Sequence, residues 1–559
     1  MSLENGNAKE ATLSSSNNAA RLLSVMLAAA VLLTSSCAVS QKDGGGNVGL
    51  AQRPYPQGVT ANSTANANAG TAAELLEKEP APNDAESYGR IEENPFIEAA
   101  RAPLSTFSVD VDTASYSNTR RFINDGRLPP KDAVRIEELI NYFSYDYPQP
   151  EGTAPFSVRA EVADCPWDTS HRLVQIGLQG RRVAAENLPP ANLVFLVDVS
   201  GSMQDARKLP LVKSSLRTLA EQLTARDRVA VVVYAGSSGL VLPSTPGDRK
   251  GEILSAIEQL EAGGSTNGGA GIQLAYRVAA DNFIRGGTNR VILATDGDFN
   301  VGVTSEADLV SLIEEKRRGG VFLSVLGFGM GNLKDSTMEQ LADRGNGNYA
   351  YIDTAAEGRK VLGEQIGGTL LTIAKDVKIQ VEFNPRRVAG YRLVGYENRL
   401  LADRDFNDDA KDAGEIGAGH TVTALYEVVP AGQKLDGAGV DALKYRRPAQ
   451  PSREADGGEL LTVKLRYKEP DGDQSRPLNV GVPDSPASFQ NASPDFRFAA
   501  AVAEFGMVLR GSKHRGRATY DTALQLARAS AGPDLRGHRT EFITLVERAK
   551  ELSDRGLTN

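Results

Sequence analysis

Cysteine is nearly absent from this chain: Cys37 and Cys165 are the only two among 559 residues. That excludes a disulfide-dense framework and leaves hydrophobic cores to supply stability. Histidine is almost as sparse. His171, His420, His514 and His538 are the four, none beside a nucleophile motif and none at the paired spacing of a zinc hydrolase. No cluster of lysine and arginine occurs, and a net charge of −9 argues against a surface built for nucleic-acid phosphates. The Gly-rich stretch 263–269 lacks the Lys-Ser/Thr pair of a phosphate loop. Ser200, in Val-Ser-Gly-Ser, lacks the flanking glycines of a nucleophile elbow. Together these gaps point away from an enzyme.

What the chain does have is oxygen at the ends of apolar strands. Leu193-Val-Phe-Leu-Val-Asp198-Val-Ser200-Gly-Ser202-Met203 delivers one carboxylate and two hydroxyls from a strand into a single tight turn. Alternation lets Asp198, Ser200 and Ser202 converge above the strand's carboxyl end, and hard oxygen donors of mixed charge suit magnesium or another hard divalent ion. Asp and Ser between a strand and a helix also serve as ordinary turn and N-cap residues, so on these three alone both readings stand. Two later segments add to them. Gly263-Gly-Ser-Thr266-Asn-Gly268-Gly269 offers a hydroxyl just before a helical repeat of Ile272, Ala275, Tyr276 and Ala279. Val291-Ile-Leu-Ala-Thr-Asp296-Gly297-Asp298-Phe-Asn300 runs a second apolar strand into carboxylates. Ligands of open parallel sheets gather at the carboxyl ends of strands near a topological switch point, which predicts all three loops on one edge of one sheet. Asp298 and Asn300 read as turn residues of the outgoing loop.

The neighbouring pattern predicts the fold independently. Leu209, Val212, Leu216, Leu219 and Leu223 recur at helical spacing, as do Ile253, Ile257 and Leu260, and Leu309, Leu312 and Ile313. Strand-like runs at 229–234, 321–326 and 348–352 alternate with them, and Val361, Leu362 and Ile366 suit a closing helix. This rhythm predicts a doubly wound, mostly parallel α/β sheet covered on both faces, over residues 191–370. Asp-x-Ser-x-Ser, the Thr of the Gly-rich loop and Thr-Asp-Gly resemble the metal-ion-dependent adhesion site of von Willebrand factor type A domains, whose sheet is Rossmann-like. The resemblance implies Ser200, Ser202 and Thr266 as hydroxyl ligands, with Asp198 and Asp296 binding directly or through water. It further implies Mg2+ (or Mn2+ or Ca2+) lacking one protein ligand, a gap filled by a carboxylate from a protein partner.

The amino terminus points to export. The apolar run at 22–33 follows Arg21 and is shorter than a comfortable membrane span. Leu33-Thr-Ser-Ser36-Cys37-Ala38 resembles a bacterial lipoprotein cleavage site, implying lipidation of Cys37; a plain secretory signal with an incidental cysteine is the alternative. Ala38 and Val39 hold no acidic retention signal, which implies an outer-membrane anchor facing the periplasm. Residues 1–37 are read as the signal, and 38–93, rich in Gly, Asn, Ala, Ser and Pro, as a disordered tether. Cys165 is then unpaired and reads as a small buried hydrophobe.

Residues 94–190 read as an α+β region that contains Phe107-Ser-Val-Asp110-Val-Asp112-Thr113-Ala-Ser115-Tyr116. Asp110 and Asp112 resemble the opening of a haloacid-dehalogenase phosphatase, yet Ala114 stands where that family has Thr or Val. Capping of the next helix by Asp112 or Thr113 is the reading preferred. Period-two strands at 156–162, 173–178, 377–383, 422–428 and 460–467 predict sheets with one wet face. They fall on both sides of the α/β domain, which predicts its insertion into a β-sandwich. Residues 371–559 read as strands followed by helices at 494–510, 520–529 and 539–552, with Phe498, Val502, Phe505 and Leu509 in a core. The acidic stretch 403–409 mimics a calcium loop but lacks its Gly and Glu, so it reads as solvated. Asp-Val-Asp-Thr-Ala-Ser-Tyr upstream and Asp412-Ala-Gly-Glu-Ile-Gly-Ala-Gly-His420-Thr-Val-Thr-Ala-Leu-Tyr426 downstream resemble exported bacterial von Willebrand A proteins of the YfbK-like type. The expectation is a cell-envelope-anchored, divalent-cation-dependent protein-binding module for adhesion or assembly. Its alternatives are a structural scaffold whose metal site is stabilising or vestigial, and a phosphatase centred on Asp110.

Overall fold

Alternate residues of Leu193-Val-Phe-Leu-Val face opposite sides of a sheet, and both sides are covered. Val194 and Leu196 enter a core with helices Gly268–Asp281, Glu306–Arg318 and Asp335–Arg344. Leu193, Phe195 and Val197 enter another with helices Leu209–Gln222 and Lys250–Glu258. The computed structural model describes residues 86–297, 306–411, 413–435, 450–470, 472–485 and 487–556. The expected signal with Cys37, most of the expected tether, and Asp298, Asn300 and Asp412 lie outside the described residues.

Six strands form the α/β sheet in the order Tyr349–Ile352, Val321–Phe328, Thr288–Thr295, Ala191–Asp198, Arg228–Tyr234 and Ser238–Pro246. All neighbours pair parallel except the last, Ser238–Pro246, which is antiparallel. Sequence order runs outward in both directions from the adjacent strands Ala191–Asp198 and Thr288–Thr295. The crevice above their carboxyl ends is therefore the switch point. Ser238–Pro246 went unread because Gly239 and Pro243 interrupt its pattern, which an edge position tolerates. The expected closing helix is broken into Ala355–Arg359, a π-helical turn Lys360–Glu364, and Ile366–Leu370. Glycines at 358, 363, 367 and 368 weaken helix propensity there, yet Val361, Leu362 and Ile366 still reach the core.

Flanking segments form the sandwich. One antiparallel sheet runs Ile97–Glu98, Val388–Val394, Thr421–Pro430, Arg172–Gly180, Phe156–Asp164. The other runs Ile416–Gly417, Thr372–Phe383, Glu459–Lys468, Ser475–Pro483, with Leu104–Ser108 also paired to Thr372–Phe383. Phe107, Ile176, Val381, Tyr391, Tyr426 and Val463 meet between them. The chain leaves the sandwich after Arg172–Gly180 and returns at Thr372–Phe383, so the α/β domain is an insertion.

The expectation of one wet face fails for Arg172–Gly180 and Thr421–Pro430. Their outward residues Leu173 and Leu425 join a third core with helices Ile136–Asn141, Pro494–Arg510, Tyr520–Ser530 and His538–Asp554. The polar residues that mimic a wet face are buried with partners: the Thr423 N–H donates to Asn141 Oδ1 at 2.7 Å, and Glu427 Oε2 accepts from Arg392 at 2.7 Å. Phe498, Val502, Phe505 and Leu509 lie in this third core, as does Cys165, which is buried.

Two further expectations are corrected. The expected tether ends too late, because Glu86 is already held by Arg121 at 2.7 Å and by the Gly331 N–H at 2.8 Å, and the Ile91 N–H donates to Asp132 at 3.0 Å. Thr113 occupies the N-cap of helix Ala114–Asn124 without a side-chain capping bond. Glu138 instead reaches across and accepts the Ser115 N–H at 2.8 Å. Asp112 turns away to accept from the Tyr349 N–H at 2.8 Å and from Arg399 at 3.0 Å.

Candidate metal-ion site

The strand Ala191–Asp198 drives Asp198 into the switch-point crevice, where it is fully buried. Both its oxygens are committed. Oδ1 accepts the Ser200 N–H at 2.9 Å, and Oδ2 accepts the Tyr234 hydroxyl at 3.1 Å and the Thr295 hydroxyl at 3.3 Å. Burial, and after it the charge of Asp296, pushes the Asp198 carboxyl above its ordinary range. A fixed carboxylate of this kind aligns its neighbours, which suits a role through water or through the loop backbone.

Ser200 and Ser202 follow in the turn, their hydroxyl oxygens 3.1 Å apart. Asp296, also fully buried, comes from the next strand, and the Ser202 hydroxyl donates to it. Burial opposes ionisation of Asp296, but the Lys208 ammonium and the Ser202 hydroxyl outweigh it and hold that carboxyl below its ordinary range. Gly297 completes the turn at φ +96°, and a Cβ there would lie 2.8 Å from the Lys334 backbone nitrogen, so only glycine lets the 329–334 loop approach.

Asp198, Ser200, Ser202 and Asp296 are thus brought together by direct or shared hydrogen bonds. Thr266 comes with its loop: the Gly263 N–H donates to Val199 O at 2.7 Å and the Gly201 N–H to Gly264 O at 3.0 Å. Its hydroxyl makes no hydrogen bond to the other four, all of them described residues. Two carboxylates and two hydroxyls meet in one crevice with the Thr266 loop against them, a donor chemistry that fits a hard divalent ion with charge left over.

Sequence reasoning missed Lys208. Its Nζ lies 2.9 Å from Asp296 Oδ2 and 3.4 Å from Asn332 Oδ1, and the residue is buried. The available signal was its place at the N-cap of helix Leu209–Gln222, where a cation meets the positive end of the helix dipole and needs a nearby anion. The second aspartate pair is elsewhere. Asp110 lies 3.5 Å from Arg399 and lines a cavity of about 370 Å³ with Glu339, Asp343 and Glu415, between the α/β domain and the sandwich.

Residues 192–363 match the von Willebrand factor type A domain, and residues 368–552 match the family described as "Uncharacterized protein YfbK, C-terminal". A further match, described as von Willebrand factor, covers residues 82–175. "Uncharacterized protein YfbK" of Escherichia coli (strain K12) is 43% identical over 507 residues, 89% of this chain and 85% of that protein. The chain belongs to the YfbK family.

The inserted α/β domain is the von Willebrand factor type A domain of this YfbK-family chain, and the returning strands and three helices are its YfbK C-terminal part. As a family, such inserted domains are protein-interaction and adhesion modules. Human inter-alpha-trypsin inhibitor heavy chain H3 is 26% identical over 269 residues, 44% of this chain and 29% of that protein, so the likeness spans under a third of that heavy chain. A solved von Willebrand factor type A protein from Catenulispora acidiphila is 16% identical, covering 67% of this chain and 87% of its own, with a TM-score of 0.37.

Proposed function

We propose that this YfbK-family protein is a divalent-cation-dependent protein-binding module, tethered to the cell envelope through a lipid on Cys37. The observation that carries the reading is the meeting of Asp198, Ser200, Ser202 and Asp296 at the switch point, with the Thr266 loop hydrogen-bonded against them. Ser200, Ser202 and Thr266 would hold the ion through neutral hydroxyls, Asp198 and Asp296 directly or through water. An ion so sparsely neutralised supplies a strong electrostatic preference for an acidic side chain of a protein partner. The protein's own share of the work is to fix the oxygens beforehand: Tyr234 and Thr295 lock Asp198, and Lys208 steadies Asp296.

Calorimetry of the purified chain with magnesium, repeated on Asp198→Ala, tests this. Heat in the wild type that vanishes in the variant supports the reading; no heat in the wild type up to millimolar magnesium discards it. Capture of an acidic-faced partner with and without chelator then separates recognition from mere stabilisation.

One observation favours the second reading, a scaffold whose site only stabilises the domain. Lys208 already supplies a positive charge to Asp296 from within the fold. That reading predicts metal-dependent melting with no partner lost on chelation.

A further inference from the structure

Lys208 sits where helix physics disfavours it. It is the N-cap of Leu209–Gln222 and makes no capping bond, while helix N-termini favour anions and disfavour cations. Burial adds a second cost, since a lysine removed from water needs a carboxylate in return. Asp296 provides it at 2.9 Å.

The surroundings are cut to let the side chain reach. Its stem lies over Gly329, where a Cβ would come 2.8 Å from Lys208 Cδ and overlap the neighbouring carbons. Gly329 also adopts φ +76°, a conformation that glycine alone takes without strain. A second acceptor waits beside the first, because Asn332 Oδ1 is 3.4 Å from the ammonium on the loop that Gly329 opens. The ammonium touches both acceptors at once, and the Asn332 amide also donates to Asp296, so the three side chains form one cluster in the crevice.

We infer that Lys208 is a built-in counter-cation that competes with the divalent ion for Asp296, so that metal loading works against the ammonium's hold on that carboxylate. The inference rests on the metal-site reading and adds a residue that sets affinity. Two cations at Asp296 Oδ2 repel each other, and Asp198 with Asp296 supply only two negative charges. Removing the lysine charge relieves both effects at once.

The test is magnesium calorimetry on the full chain as wild type, Lys208→Met and Lys208→Arg, with chemical denaturation in chelator as the second readout. Lys208→Met is expected to bind magnesium at least tenfold more tightly, which is about 1.4 kcal/mol, and to be less stable than wild type in chelator. Lys208→Arg keeps the charge and is expected to stay within a few-fold of wild type. If Lys208→Met does not fold, Lys208→Gln, which can still hydrogen-bond Asn332, carries the same measurement. Equal or weaker binding by the uncharged variant, with the wild type binding, overturns the inference and leaves the metal site standing. Absence of binding in the wild type up to millimolar magnesium overturns the site reading itself, and the inference with it.

Discussion

Arg399 is the residue whose loss should cost the most for a single side chain. Its guanidinium, one-tenth exposed, lies 2.7 Å from Asp343, 2.8 Å from Glu339, 3.0 Å from Asp112 and 3.5 Å from Asp110. It ties helix Asp335–Arg344 of the inserted domain to the segment after strand Leu104–Ser108. Arg135, which also contacts Glu339, is already shared with Glu138 and Asp335. Arg399→Met keeps the apolar stem and removes the charge, leaving buried carboxylates uncompensated, a defect of about 3–5 kcal/mol.

The pH dependence separates this cause from lost packing. Burial and the neighbouring Asp110 push Asp343 up to about 7 even with Arg399 beside it, and burial raises Asp112 and Glu339 as well. A carboxyl whose folded pKa exceeds its unfolded value adds stability below the unfolded pKa and loses it as pH climbs through the folded one. Arg399→Met lifts those folded values further, so its stability keeps falling over a wider span of pH. Each added unit deepens the defect by about 1.4 kcal/mol above pH 7. At pH 5 Asp343 is protonated in both proteins and its part disappears. Urea denaturation at pH 5 and pH 8 should show the loss shrinking by about 1 kcal/mol at the lower pH. An equal loss at both, or a loss under about 1 kcal/mol at pH 8, would refute the electrostatic account.

The buried Glu504 gives a simpler titration: burial pushes it up to about 7, with the Thr522 hydroxyl opposing at 2.8 Å. Wild-type stability should therefore fall between about pH 4.5 and 7, and Glu504→Gln should fall less steeply there and be more stable at pH 8 by at most about 3 kcal/mol, read from denaturation midpoints. The proposed anchor predicts that Cys37→Ser moves the chain from the membrane fraction to the soluble one. A wild type already soluble after fractionation would end that part of the proposal.

The inserted domain was legible because its central strands are unbroken apolar runs that end in oxygen-bearing residues, which signals both a parallel sheet and its functional edge. Helix Pro494–Arg510 was legible for a related reason, since Phe498, Val502, Phe505 and Leu509 keep strict helical spacing. The misses share a different cause: their partners are remote in sequence. Thr423 and Glu427 look solvated until Asn141 and Arg392 are brought over them. Asp112 looks like a cap until Tyr349 and Arg399 claim it, and Lys208 looks like surface until Asp296 lies beside it. Local pattern shows which residues need a partner, and only topology shows who answers.

Two of the buried carboxylate groups are neutralised by different cations, and the difference fits what each place does. At the joint between the inserted domain and its surroundings, Arg399 and Arg135 each bridge several carboxylates from separate elements. A guanidinium keeps its charge, presents donors in a rigid fork and gives up such a set only at high cost. That suits a permanent seam. At the crevice the cation is a lysine on a flexible stem, a point charge with one carboxylate and one amide within reach. Such a charge can be displaced from its carboxylate without breaking a forked, multiply bridged network. An Arg at 208 would keep the same charge but hold Asp296 through a fork rather than at a point. A lysine there keeps Asp296 ionised in the buried crevice while leaving it able to exchange its partner, which is the property a cation-dependent contact requires.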